Sequence, residues 1–296
     1  MTLTQLVLLA LVQGFAELLP VSSSAHVVVA EKLLGLDPSS PQMTLVLVML
    51  HTGTMFAVIA YFWKAWRNTY FESRAHFASF LRNAVWATLL TMFIGYPTIL
   101  LVERTVGKRA GVTQIEDLFG RLDIVGAALF AAGVLIIVAG LKEARQRTSL
   151  GAGLGSSTDL TLRQASWIGA IQGLCLPFRG FSRSGATIST GLLAGASRPR
   201  AEQFSFALAV ILTPAVVGRE VLRLLDAAHQ AANTADSIDF HSVLTLALLG
   251  MVLAFFAGLL ALKWLSVWLE NGRWFLFGIY CVLASAVVIY LHRLGY

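Results

Sequence analysis

Six apolar stretches, at about 43–63, 84–102, 122–141, 203–222, 243–265 and 274–291, decide most of what this 296-residue chain can become. About 20 apolar residues at a 1.5 Å rise cross the roughly 30 Å hydrocarbon core of a bilayer. Lipid offers the backbone no hydrogen-bond partners, so such stretches become helices that satisfy their own polar groups. Composition agrees, with 57% hydrophobic residues, 13% charged residues and a mean hydropathy of +0.74. An ordinary soluble domain is excluded on those values. The net charge of +6 resides mainly in short loops between the apolar stretches, where membrane topology accounts for it. No basic stripe with interleaved aromatics is present, so no nucleic-acid partner is expected, and membrane lipids are the expected surroundings. Cys175 and Cys281 both lie in apolar segments, which argues against a disulfide framework or a thiolate metal site. Residues 1–19 lack a basic leading region and carry Glu17, so a cleaved signal peptide is not expected.

Two further apolar pieces, 2–19 and 22–35, are each too short to span and are separated by Pro20 and the run Ser22-Ser23-Ser24. Proline cannot continue a helix without losing a backbone hydrogen bond, so one helix is expected to end near Leu19 and another to begin around Ser22. The pair reads as a re-entrant hairpin. Irregular backbone at that depth is tolerated where protein covers it or where it lines a polar cavity, and a fresh helix N-terminus offers free N–H groups to an anion. Glu17 strengthens the inference. A carboxylate near the bilayer centre costs about 2.5 to 3.5 kcal/mol on insertion scales, so its presence points to function.

The opening pattern then returns. Ile171-Gln172-Gly173-Leu174 echoes Val12-Gln13-Gly14-Phe15, and Phe181-Ser182-Arg183-Ser184-Gly185-Ala186 echoes Val21-Ser22-Ser23-Ser24-Ala25-His26. Each copy is followed by three apolar stretches. The expected architecture is therefore an all-α polytopic membrane protein with an inverted-topology repeat, each half a re-entrant helical hairpin plus three transmembrane helices. Residues 1–141 form the first repeat, 142–163 a polar Gly/Ser-rich linker and 164–296 the second repeat. The loops at 64–82, 142–163, 196–202 and 263–273 hold about twelve Lys and Arg against about eight on the other side, which assigns them to the cytoplasm and both termini outward.

Gln13 and Glu17 are four apart, on one helix face, and together can coordinate a hard divalent cation; alternatively Glu17 acts as an acid/base group or pairs with Arg183 to pin the hairpins. One of Ser22, Ser23 and Ser24 suffices as a helix cap, and His26 lies within a turn of Ser22 and Ser23. A serine beside a histidine can serve as nucleophile and base, or the pair can bind phosphate while a water attacks. His51, alone in an apolar span, is assigned no chemistry. In the second hairpin the guanidinium of Arg183 suits phosphate oxygens, with Ser182, Ser184, Gly185 and Thr187 completing an anion cradle at a helix start. Arg179 is either a second phosphate contact or a side chain reaching for the interface.

Gln13-Gly14-x-x-Glu17 with Pro20-Val21-Ser22-Ser23-Ser24-Ala25-His26, then Gly180-Phe181-Ser182-Arg183-Ser184-Gly185-Ala186-Thr187, resembles the bacterial undecaprenyl-diphosphatases, the bacitracin-resistance membrane phosphatases. The resemblance extends over nearly the whole chain, to Glu202-Gln203-Phe204-Ser205-Phe206. It implies a multi-pass enzyme of the bacterial inner membrane that hydrolyses undecaprenyl diphosphate to the monophosphate and phosphate, recycling the lipid carrier for cell-wall synthesis. It also implies a site opening to the periplasm, functional positions at Glu17, Ser23, His26 and Arg183, and Ser182 and Thr187 beside the phosphates. A polyprenyl diphosphate is the expected lipid substrate, a divalent cation (Mg or Ca) the expected cofactor, and a homodimer is compatible with the chain. The sequence departs from the family at Pro177-Phe178-Arg179-Gly180, where Pro usually stands directly before Gly. The rival class is a secondary transporter or lipid translocase on the same inverted repeat.

Overall fold

The computed structural model describes residues 1–36, 40–107, 121–150, 160–231, 240–270 and 273–295, and every regular element among them is helical. In chain order these are α1 (Leu3–Leu18), α2 (Ser23–Leu33), α3 (Pro41–Thr69), α4 (Arg74–Val102, with a π turn at Glu103–Gly107), α5 (Leu122–Leu150) and α6 (Leu162–Cys175). They continue with α7 (Arg183–Leu193), α8 (Arg198–Ala231), α9 (Phe240–Glu270) and α10 (Trp274–Arg293).

Local chemistry sets the boundaries. Thr2 and Thr161 each form a capping box, with Gln5 and Gln164 respectively, so α1 and α6 begin alike. Ser40 accepts from the Met43 N–H, and Pro41 opens α3 in the position where its missing N–H costs nothing. Residues 37–39 of the expected turn, and the parts of the expected loops at 108–120 and 232–239, lie outside the described residues. Residues 142–150, assigned to a linker from their polarity, continue α5, and 151–159 lie outside the described residues.

The short helices are paired. α1 packs on α2 and α6 packs on α7, so each pair folds back on itself instead of threading straight on. At 1.5 Å per residue the 16 residues of α1 reach about 24 Å and the 14 of α6 about 21 Å, short of a bilayer core. Long helices surround them, with α10 on α5, α9 on α3 and on α1, α4 on α6, and α3 on α8. Close approach relies on small residues, as lipid-embedded packing does. A Cβ added to Gly133 would stand 2.8 Å from the Gly278 carbonyl oxygen, and one on Gly278 2.6 Å from that of Gly133, so α5 and α10 meet backbone to backbone.

Among the described residues five helical segments are long and apolar enough to cross a membrane: Met43–Thr69, Arg74–Thr105, Leu122–Gln146, Val243–Ser266 and Trp274–Arg293. The sixth expected span, 203–222, falls within the 34 residues of α8. Its polar groups turn inward: Arg198 and Glu202 are buried, and Arg198 pairs with Glu143. The outer faces are apolar, with Phe93 78% exposed and Met92 63%, as a lipid-contacting surface requires.

Candidate active site

Pro20 breaks the chain as its chemistry dictates. Leu19, before the proline, is extended at φ −79° and ψ 151°, which ends α1. The Val21 N–H donates to the Leu19 carbonyl at 2.8 Å, a tight turn around the proline. Ser22 then takes φ 67°, a conformation that costs a non-glycine residue of order 1 kcal/mol or more and persists only when its surroundings hold it. His26 supplies part of that hold. Its Nδ1–H donates to the Ser22 carbonyl at 2.7 Å, which leaves Nε2 to accept from the Tyr280 hydroxyl at 2.6 Å.

In the second pair, α6 ends at Cys175 and a turn leads to Ser182, whose hydroxyl caps α7 by accepting from the Gly185 N–H at 3.2 Å. The two breaks are tied together. Gly180 N–H donates to the Ser24 hydroxyl at 3.3 Å, and the Ser184 hydroxyl donates to the Leu19 carbonyl at 3.4 Å.

Glu17 stands where they meet. Its Oε1 accepts from the Arg183 guanidinium at 3.1 Å, and its Oε2 accepts from the Ser23 hydroxyl at 2.5 Å and from Gln13 Nε2 at 3.2 Å. His51 Nε2 lies 3.7 Å from the same oxygen, with its Nδ1–H donating to the Leu47 carbonyl. The carboxylate keeps 15% exposure and Arg183 31%, because both border a cavity of about 230 Å³. Ser22, Ser23, Ser24, Ser182 and Ser184 also line it. Pockets that enclose drug-sized ligands run to roughly 300–1,000 Å³, so this one suits a compact polar head group.

Not every expected residue reaches the cavity. Gln13 is fully buried behind Glu17. Thr187 is fully buried and turned to the Ser205 hydroxyl at 2.6 Å. Gly185 packs against Ile136, where a Cβ would come within 2.7 Å of a methyl. His26 is engaged by Ser22 and Tyr280 and is not part of the lining. In their place the structure brings His51, Gln172 and Arg179 to the cavity. His51 carried the same signal as Glu17, a titratable side chain within an apolar span. Only its isolation in sequence set it aside.

The oxygen donors suit a hard cation in part. Glu17 is one carboxylate with serine hydroxyls beside it, a set suited to an ion that keeps its waters and shares substrate oxygens. Gln13 points its amide nitrogen at Glu17 and leaves Oε1 buried without a hydrogen-bond partner. No cluster of three His, Cys, Asp or Glu side chains forms a cage among the described residues.

The family described as Bacitracin resistance protein BacA matches residues 6–287. The chain belongs to the BacA family. Among curated BacA-like relatives, a protein of Acinetobacter baylyi named undecaprenyl-diphosphatase 2 is 52% identical over 98% of both chains. Proteins named undecaprenyl-diphosphatase from Rhodopirellula baltica and Desulfosudis oleivorans are 31% and 34% identical, covering 98% and 96% of this chain and 98% and 97% of theirs. This BacA-family chain thus matches these relatives over nearly its whole length.

Proposed function

We propose that this chain is an integral membrane phosphatase that hydrolyses undecaprenyl diphosphate to undecaprenyl phosphate and phosphate, recycling the lipid carrier for cell-wall synthesis. The observation that carries it is the Arg183–Glu17–Ser23 chain of hydrogen bonds at the meeting of two helix starts, in a chain of the BacA family. Diphosphate brings negative charge, and helix N-termini with a guanidinium are suited to receive it.

The Ser23 oxygen attacks the terminal phosphorus while its proton passes to Glu17 Oε2. The bond from that phosphorus to the bridging oxygen breaks, and the bridging oxygen leaves on undecaprenyl phosphate. Water then attacks the phosphoserine phosphorus, the bond from that phosphorus to the Ser23 oxygen breaks, Glu17, now protonated, returns its proton to that oxygen, and the water's proton leaves with the phosphate or to solvent. Arg183 neutralises the oxygens on which charge develops, at a site where little water competes. Glu17 with the neighbouring serine hydroxyls would hold a Mg or Ca ion, which would supply positive charge at the phosphoryl group. The prenyl chain stays outside the cavity, among the exposed apolar faces.

The chain is a multi-pass membrane protein, and we assign it to the bacterial inner membrane with the site opening to the periplasm, supported by the basic loops expected on the cytoplasmic side. The two halves, 1–141 and 164–296, are read as an inverted repeat. Support comes from the matched pairs: α1 with α2 and α6 with α7 are each a short helix folded on a shorter one, and α1 packs on α9 as α6 packs on α4.

The test uses purified full-length protein in detergent with a polyprenyl diphosphate, Mg or Ca, and a phosphate assay. Turnover without any gradient is expected, and chelation of the cation is expected to abolish it. A secondary transporter or lipid translocase would release no phosphate under those conditions, and that result overturns the reading.

A further inference from the structure

Arg179 stands in the turn between the two helices of the second pair, and the structure gives it a defined place. Phe178-Arg179-Gly180-Phe181 is a turn closed by the Phe181 N–H donating to the Phe178 carbonyl at 3.1 Å. Gly180 takes φ 104° at the third position, which makes the turn type II and leaves Arg179 at its second corner. The turn is rigidly held: a Cβ on Gly180 would collide with the Val125 backbone, and the Gly180 N–H is the group bonded to Ser24. A half-buried arginine is thus fixed on the rim of the cavity beside the serine run.

Charge explains why it matters. Of the side chains lining the cavity, Glu17 and Arg183 pair with one another, and Arg179 brings a second guanidinium to the same lining. Glu31 of α2, a residue 1% exposed, lies within electrostatic reach of Arg179. A diphosphate has two phosphate groups, and Ser23, Glu17 and Arg183 together engage one.

We propose that Arg179 is a second phosphate-binding arginine, contacting the phosphate that remains on the prenyl chain while Arg183 contacts the one that leaves. This rests on the phosphatase reading. A group that holds the non-transferred phosphate equally before and during reaction contributes to binding and little to the chemical step.

Steady-state kinetics of the purified protein with a polyprenyl diphosphate test this. Arg179→Ala and Arg179→Gln are expected to raise KM about tenfold or more with kcat within about threefold of wild type. A second measurement needs no variant: in the unaltered protein, inorganic pyrophosphate is expected to slow phenylglyoxal modification of Arg179, read by peptide mass spectrometry. An active wild type whose Arg179 variants keep their KM, or whose Arg179 is modified equally with and without pyrophosphate, overturns the proposal and leaves the phosphatase reading standing. An inactive wild type overturns both.

Discussion

The Ser23 hydroxyl donates to Oε2 of Glu17 over 2.5 Å, although the two residues lie on different helices separated by the break at Pro20. The break is what makes the contact: a continuous helix would put residues six apart about 120° around and about 9 Å along its axis. A carboxylate so placed is oriented to take the serine's proton, and Arg183 fixes its other oxygen.

Glu17→Gln preserves shape and removes the charge. Loss of a positioned base lowers rates by about 10²- to 10⁴-fold, so kcat should fall in that range. Rapid-quench trapping should find phosphate on Ser23 in the wild type and none in Ser23→Ala. A Glu17→Gln enzyme within threefold of wild-type kcat would remove the base assignment, where about threefold is the scatter of a minor contact.

His26 leads to a different expectation. Both ring nitrogens are engaged, one by the Ser22 carbonyl and one by the Tyr280 hydroxyl, so the imidazole supports the unusual backbone at Ser22. His26→Gln should lower turnover less than Ser23→Ala does and leave the shape of the pH–rate profile unchanged, with Tyr280→Phe giving a weaker version of the same effect. Disappearance of a limb of the profile in His26→Gln would instead make His26 the base.

Much of this site was legible because charge and proline are conspicuous in apolar sequence. Glu17, Arg183 and Pro20 stand out among leucines and valines, and the chemistry of each forces a break, a partner or a cavity. Thr187 was not legible, because a helix register alone does not say which face meets ligand and which meets Ser205. His51 was missed because its neighbour, Glu17, is 34 positions away in sequence and joins it only when α1 packs on α3. Arg198 and Glu202, placed in a loop from their polarity, are buried within α8.

Thr187 itself separates binding from packing. Its hydroxyl contacts Ser205 and the Arg183 carbonyl in a fully buried setting, so Thr187→Val should cost about 1 to 2 kcal/mol of stability by leaving Ser205 short of a partner. Thermal unfolding in detergent reads the loss, and KM for the diphosphate should not change. A raised KM at unchanged stability would put the hydroxyl against substrate instead.

In the proposed reaction the two broken hairpins hold one diphosphate against Arg183 and the serine run Ser22–Ser24. Orthophosphate release by purified Arg183→Ala, compared with wild type on the same polyprenyl diphosphate, tests it most directly. Removing a positioned cationic donor from a phosphoryl-transfer site costs about 10²-fold or more, so a loss of that size in kcat/KM is the expected result. A variant that releases phosphate at close to the wild-type rate would contradict the account.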